Sequence, residues 1–337
     1  MALDEGSGAE DTPLAGVPAP ATPDPAAEIV GLAAKLLRLQ SRLGADRPGV
    51  GPHGVYLTSK DLESPSVVTR SSRHAAVRSG VEVLRGFAVS LVGEIQESIE
   101  RDGFHYLYQP IASVASGAIE GYEALLRWQR GQESVVPALF LPIAAEAGLQ
   151  HRIQQGLLGD VAMVLARLGP AATIGIDWSV AQLADADAVS ATIERAAQLG
   201  LDAARVIVGI GERAGMADPE PIRAGLARLR EAGFLLALDA FDSGQGGFAY
   251  LSRLPVDLIK IDGSLIGALG HSMRATLIVG AIIDVAHRLG ARVVARGVQT
   301  AQQLATLAMV GCDLAQGDAI GAPSRDPVAA ARRGGTA

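Results

Sequence analysis

Between residues 104 and 317, short apolar runs of strand length alternate with stretches of helix length, and few folds accept that rhythm. The runs are 104–110 (FHYLYQP), 118–128 (AIEGYEALLRW), 173–178 (TIGIDW), 205–210 (RVIVGI), 234–240 (FLLALDA), 257–262 (DLIKID), 292–296 (RVVAR) and 312–317 (CDLAQG). Only 113–117 (SVASG) separates the first two, too little for a crossover helix, so they read as an antiparallel hairpin. Later runs are joined by inserts of helical pattern, such as 151–168, 218–232, 272–289 and 301–310. Repeated strand–helix units build a parallel sheet. Eight strands in this span fit an α/β fold of TIM-like (β/α)8 type, closed as a barrel with one antiparallel strand.

Residues 1–27 are rich in Pro, Ala, Gly and acidic residues, bury too little to offset their ordering entropy, and are predicted to be a disordered tail. Residues 28–100 are predicted to be a helical N-terminal region and linker. Helical periodicity runs through 26–43 (Ile29, Leu32, Leu36, Leu37) and 74–100 (Val77, Val81, Leu84, Phe87, Leu91, Ile95, Ile99), around a Gly-, Pro- and Ser-rich loop at 44–72. The barrel is placed at 101–325 and a C-terminal tail at 326–337.

Composition narrows the classes. Aromatic residues are only 4% of the 337, so the core must be built of Ala, Val, Leu and Ile. No apolar run approaches the ~20 residues a membrane-spanning helix needs. The N-terminus lacks the basic start and apolar stretch of a signal peptide, so the expectation is a cytoplasmic protein without a membrane span. With 29 basic and 36 acidic residues the net charge is −7, which argues against nucleic-acid binding. The single cysteine, Cys312, makes neither an internal disulfide nor a Cys-rich zinc site. His105, His151, His271 and His287 show no metal-ligand spacing and read as surface or packing residues.

Barrels of this type carry their sites at the C-terminal strand ends. Those ends hold Glu123 and Arg127, Asp177, 209–212 (GIGE), Asp239, Lys260 with Asp262, Arg296 and Gln316. So many polar groups converging on one mouth, in otherwise apolar strands, point to a ligand pocket.

The motifs 109–111 (QPI), 123–128 (EALLRW), 258–262 (LIKID) and 314–317 (LAQG) stand in the order and spacing of the EAL domain, the cyclic di-GMP phosphodiesterase and receptor family, which the chain resembles over about residues 101–325. The resemblance implies nucleotide contacts from Gln109, Leu126, Arg127, Asp262, Gln316 and Pro323. It also implies, in active members, carboxylates that hold two Mg²⁺ or Mn²⁺ ions around an attacking water.

Against that pattern Glu123 is present, and Asp177 (in IDWS) stands where active members carry Asn. GIGE replaces EITE, so Gly209 takes the place of a metal ligand while Glu212 keeps the position that braces a loop. DAFDSG (239–244) replaces DDFGTG: Asp239 survives and Ala240 replaces the bridging acid. Lys260 matches the lysine expected to orient water. ARGVQ (295–299) replaces AEGVE, so Arg296 and Gln299 stand where acids are expected. Arg296 sets a permanent cation beside a metal position and is expected to pair with Glu123 or Asp239. The loop after Asp239, 242–251 (DSGQGGFAYL), departs from the family's pattern, and Gly246 and Gly247 raise its ordering cost.

The resulting expectation is an inactive EAL domain that acts as a cyclic di-GMP receptor and needs no cofactor. The ligand-binding set is Gln109, Glu123, Leu126, Arg127, Asp177, Asp239, Lys260, Asp262, Arg296, Gln316 and Pro323. Alternatives are a nucleotide-independent protein-interaction regulator on the same barrel and a weak phosphodiesterase. A protein partner is not legible, and a homodimer is left open.

Overall fold

In the computed structural model the described residues are 50–51, 54–55, 90–211, 219–241 and 256–327. The expectations for the tail 1–27, the helices before residue 90, Glu212, the loop after Asp239 and the residues from 328 onward lie outside them. The chain divides into two units, Met1–Leu91 and Val92–Ala337. In the first, Val50–Gly51 pairs antiparallel with Gly54–Val55.

The second unit is a closed barrel of eight strands: β1 (Phe104–Ser113), β2 (Ile119–Arg130), β3 (Thr173–Trp178), β4 (Val206–Gly211), β5 (Leu235–Phe241), β6 (Leu258–Ile261), β7 (Arg292–Ala295) and β8 (Leu314–Gln316). β1 closes it, running antiparallel to both β2 and β8; every other neighbouring pair from β2 to β8 is parallel. This is the barrel expected from the sequence, with its one reversed strand. The β2 segment that pairs with β3, residues 121–124, could not lie so close to it without Gly121, where a Cβ would fall 2.5 Å from Thr173 Oγ1.

Strand alternation sorts the side chains. Inward residues Ile111, Ile207, Ala237, Leu258, Val294 and Leu314 fill the barrel floor. Outward residues such as Ile259, Ile261 and Val293 pack with Val279, Ile282 and Leu307 of the surrounding helices. The whole of β6 is therefore buried, and one of its inward positions is a lysine.

The helices are α1 (Pro137–Glu146), α2 (Gln150–Arg167), α3 (Val180–Ala184), α4 (Ala186–Gln198), α5 (Pro219–Glu231), α6 (Gly263–Gly267), α7 (Met273–Arg288) and α8 (Ala301–Met309). Full capping boxes start α3 (Ser179 with Gln182) and α8 (Thr300 with Gln303). The sequence reading missed α1, whose run carries an internal Pro142 and almost no polar face. It also missed Glu133–Val135, a short strand that pairs with the outer end of β2. β8 begins at Leu314 rather than at residue 312, because the Cys312 N–H donates to Leu307 O and closes the end of α8. No described helix is long and apolar enough to cross a membrane.

Residues 90–100 are helical and are fastened to the mouth end of β2. Trp128 Nε1 donates to Ser98 Oγ at 2.8 Å, and Arg130 forks onto Glu94 at 2.6 and 3.0 Å. Phe104, Trp128 and Phe140 form an aromatic trio with ring centroids 5.4–5.9 Å apart.

Candidate ligand pocket at the barrel mouth

One layer above the apolar floor, the inward positions become polar. Glu123 lies in the middle of β2 rather than at its end, opposite Gln109 on β1 and Gly175 on β3. Lys260 of β6 reaches into the same layer beside Gly175, where a Cβ would sit 3.8 Å from Nζ, an ordinary contact distance. Lys260 Nζ is 2.7 Å from Asp239 Oδ1, 3.0 Å from Glu123 Oε1 and 3.9 Å from Asp177 Oδ1. Lys260 and Glu123 are 2% and 0% exposed, so neither charge is tolerable without the other.

The second oxygen of Glu123 is also engaged. Arg296, just beyond β7, brings Nη2 to 3.5 Å of Glu123 Oε2, and Gln316 Nε2 donates to the same atom. Of the two pairings expected for Arg296, the structure makes the one with Glu123; Lys260 takes Asp239. Gln316 Nε2 also donates to Gln109 Oε1 at 3.1 Å, and Gln109 Nε2 to Gly321 O at 3.4 Å. The buried Gln316 Oε1 has no donor among the described residues.

These neighbours set the protonation states. Burial alone would raise the Glu123 carboxyl, but the charges of Lys260 and then Arg296 outweigh it and hold it down at about 2. Burial likewise would lower the Lys260 ammonium, and Asp239 and Glu123 reverse that, holding it above its ordinary value. Asp177 lies at the rim with about half its side chain open to solvent. The protein surrounding it, and then the Asp239 carboxylate, push its pKa well above the usual range.

Gly209 on β4 explains how Asp177 and Asp239 come so close. A Cβ there would fall 2.3 Å from Asp239 Oδ2 and 2.8 Å from Asp177 Oδ1. The two carboxylates occupy the space that a side chain at 209 would need.

The other expected residues surround this centre. Arg127 shares the inner face of β2 with Glu123 and lies opposite His105 on β1; its Nη1 donates to Leu126 O at 2.7 Å. Asp262 caps α6, with Oδ1 accepting from Ser264 N at 2.8 Å; the Ser264 side chain and then this backbone bond lower its pKa. Pro323 lies in a segment laced to β1 through the paired Tyr108 and Ser324. Leu126 is a different case: alternation along β2 places it on the face opposite Glu123 and Arg127, whereas Leu125, which the sequence reading passed over, shares theirs. The period-2 rule applied from Glu123 finds that residue. Gln299 is exposed at the start of the α8 cap, its N–H donating to Gln303 Oε1.

Glu123, Asp177 and Asp239 offer oxygens within 4.8 Å of one another, a spacing suited to one metal ion. A second ion finds no donor at Gly209 or at Ala240. Both Glu123 oxygens and Asp239 Oδ1 already face cationic or amide nitrogen. Among the described residues, the side chains present do not fit a two-metal centre.

The chain matches the sequence profile of the EAL domain over residues 92–323. It is 31% identical to the bifunctional diguanylate cyclase/cyclic di-GMP phosphodiesterase MucR of Pseudomonas aeruginosa, over 70% of this chain and 35% of that protein. It is 33% identical to the cyclic di-GMP phosphodiesterase NbdA of the same organism, over 66% of this chain and 29% of that protein. The chain thus spans about a third of the length of these curated relatives. Among solved structures it is similar to the MucR phosphodiesterase in complex with c-di-GMP (TM-score 0.64, 30% identity, 70% of this chain and 97% of that one). It is also similar to the FimX EAL domain of Pseudomonas aeruginosa bound to c-di-GMP (TM-score 0.64, 27% identity, 69% and 96%).

Proposed function

The chain belongs to the EAL domain family, and from that premise we propose that its barrel mouth binds cyclic di-GMP without hydrolysing it, so that the domain acts as a receptor. One observation carries the reading. The hydrogen-bonded set Gln109, Gln316 and Glu123 and the inward Arg127 stand together, while the positions that would hold a second metal are Gly209 and Ala240.

Binding follows from what those residues are. Arg127 presents a planar fork suited to phosphate oxygens. Leu125 on the inner face and Pro323 at the rim offer apolar surface to a purine. The Asp262 carboxylate and the unpaired Gln316 Oε1 are acceptors for ring or amino N–H groups. Two full charges on the ligand meet Lys260 and Arg296 as well as the acids, so the pocket is not a bare acidic hole. Hydrolysis has no comparable support. Lys260, fixed among three carboxylates, has no freedom to orient a water, and without two metals the attacking water is not activated.

The acidic triad supports a second reading, slow hydrolysis through a single metal ion. Calorimetric titration with cyclic di-GMP and a chromatographic assay for the linear dinucleotide, both in Mn²⁺, separate the two. Binding at micromolar Kd or below without product supports the receptor. Product at enzyme-like rates overturns it.

A further inference from the structure

Two cations serve the acidic centre, and they are not equivalent. Lys260 is 2% exposed and spends its ammonium on Asp239 and Glu123. Arg296 has a side chain 31% exposed and, among the described residues, makes one ion pair, at 3.5 Å, to Glu123 Oε2. Its backbone is fixed, since Arg296 N donates to Ile261 O at 3.2 Å as a continuation of the β6–β7 ladder. Its guanidinium carries five N–H donors on a planar fork, most of them unused by Glu123. Asp239, Asp177 and then Asp262, on the adjoining strand end, add to the negative potential of Glu123 around the guanidinium. A divalent ion beside Glu123 would need the oxygen that Arg296 and Gln316 already hold, and would meet a fixed positive charge.

We propose that Arg296 is the built-in counterpart of a divalent cation: it neutralises Glu123, presents its remaining donors to a phosphate oxygen of the ligand, and makes nucleotide binding independent of Mg²⁺ and Mn²⁺. This rests on the receptor reading for its ligand-facing half; the cation-replacing half stands on the geometry around Glu123.

The test uses the full chain and three variants, Arg296→Met, Arg296→Lys and Arg296→Glu. Cyclic di-GMP is titrated calorimetrically in EDTA and in Mg²⁺, and Mn²⁺ alone is titrated into the unmodified chain and Arg296→Glu. The unmodified chain binds the nucleotide equally in both buffers and takes up no Mn²⁺. Arg296→Met weakens nucleotide binding about tenfold, the loss of a charged hydrogen bond, and Arg296→Lys recovers part of it. Arg296→Glu acquires a Mn²⁺ isotherm, which a purely structural role for residue 296 would not produce. Nucleotide binding that appears only with Mg²⁺, or an Arg296→Met Kd unchanged in EDTA, overturns the inference while the receptor reading stands. No nucleotide binding in either buffer overturns the receptor reading and the ligand-facing half with it. Mn²⁺ uptake by the unmodified chain overturns the cation-replacing half whatever the nucleotide does.

Discussion

Lys260 Nζ lies 2.7 Å from Asp239 Oδ1, an ion pair in a layer where the lysine side chain is 2% and the aspartate side chain 9% exposed. The pair is joined to Glu123 through the same nitrogen at 3.0 Å. One ammonium therefore serves two carboxylates at the heart of the barrel, and the rest of the pocket is arranged around that economy.

Replacing Lys260 with Met removes the positive charge while keeping an unbranched side chain one atom shorter. It leaves Glu123 and Asp239 buried with Arg296 as the remaining cation on Glu123, and the loss should be about 3–5 kcal/mol. Urea unfolding of the variant measures it; a loss below about 1 kcal/mol would mean that the carboxylates are not charged as described.

Putting a side chain back at 209 should harm the fold before it helps the chemistry. Gly209→Ala forces its Cβ onto Asp239 Oδ2 and Asp177 Oδ1, and the displacement of carboxylates held by Lys260 should cost about 1–3 kcal/mol. Gly209→Glu combined with Ala240→Asp should leave hydrolysis of cyclic di-GMP undetectable, because the side chain at 209 meets the same clash and Arg296 still holds Glu123. Thermal unfolding and a product assay on these variants give the answer directly.

Stability should fall in acid through Glu123. In the unfolded chain its carboxyl takes a proton near 4.5, in the folded chain only at about 2. Between those values the unfolded state holds more protons, so the stabilisation is complete above pH 4.5 and is lost as pH falls toward 2. Glu123→Gln should flatten that part of the stability–pH curve, at a cost in stability at neutral pH from the lost pairing with Lys260. Denaturant midpoints across pH 3–6 for the two proteins reveal the difference.

The thiol of Cys312 should be inert in the native protein. It is 5% exposed, and burial pushes its pKa up to about 12, so thiolate is scarce at neutral pH. A thiol-specific chromogenic reagent should label it at once in denaturant and only at the rate of local opening without it; immediate labelling of the folded chain would contradict its placement under β7 and β8.

The clamp between residues 90–100 and β2 should divide unequally. Trp128→Ala opens a cavity beside Phe104 and Phe140 and should cost about 3–5 kcal/mol. Breaking the half-exposed pair of Arg130 with Glu94 by Glu94→Gln should cost about 1 kcal/mol or less. Paired denaturation curves settle the order.

The barrel was legible in the sequence because two independent signals agreed. Short apolar runs between inserts of helical pattern gave the strands, and a five-residue connection left β1 no way to be parallel to β2. The short helix α1 was not legible, since a run such as PALFLPIAAE is apolar on every side and is interrupted by Pro142. In the pocket, Glu123, Asp239, Lys260 and Gln316 could be read as inward polar residues in apolar strands. Leu126 and Leu125 could not be told apart by motif alone, since adjacent leucines are chemically identical and only strand parity assigns them to opposite faces. The closure of Asp177 and Asp239 over Gly209 was invisible as well. The sequence records a missing side chain, and only the fold shows what fills its space.

Because β1 runs against all its companions, the polypeptide enters the barrel from above rather than from below. Gly103 and Phe104 therefore stand at the lip beside Trp128 and Arg127, on the doorstep of the pocket. In a barrel whose strands all pointed the same way, that doorway would open on the opposite pole, separated from the pocket by the full height of the apolar floor. The helix that leads in is thus bonded, through Ser98 and Glu94, to the strand that carries Glu123.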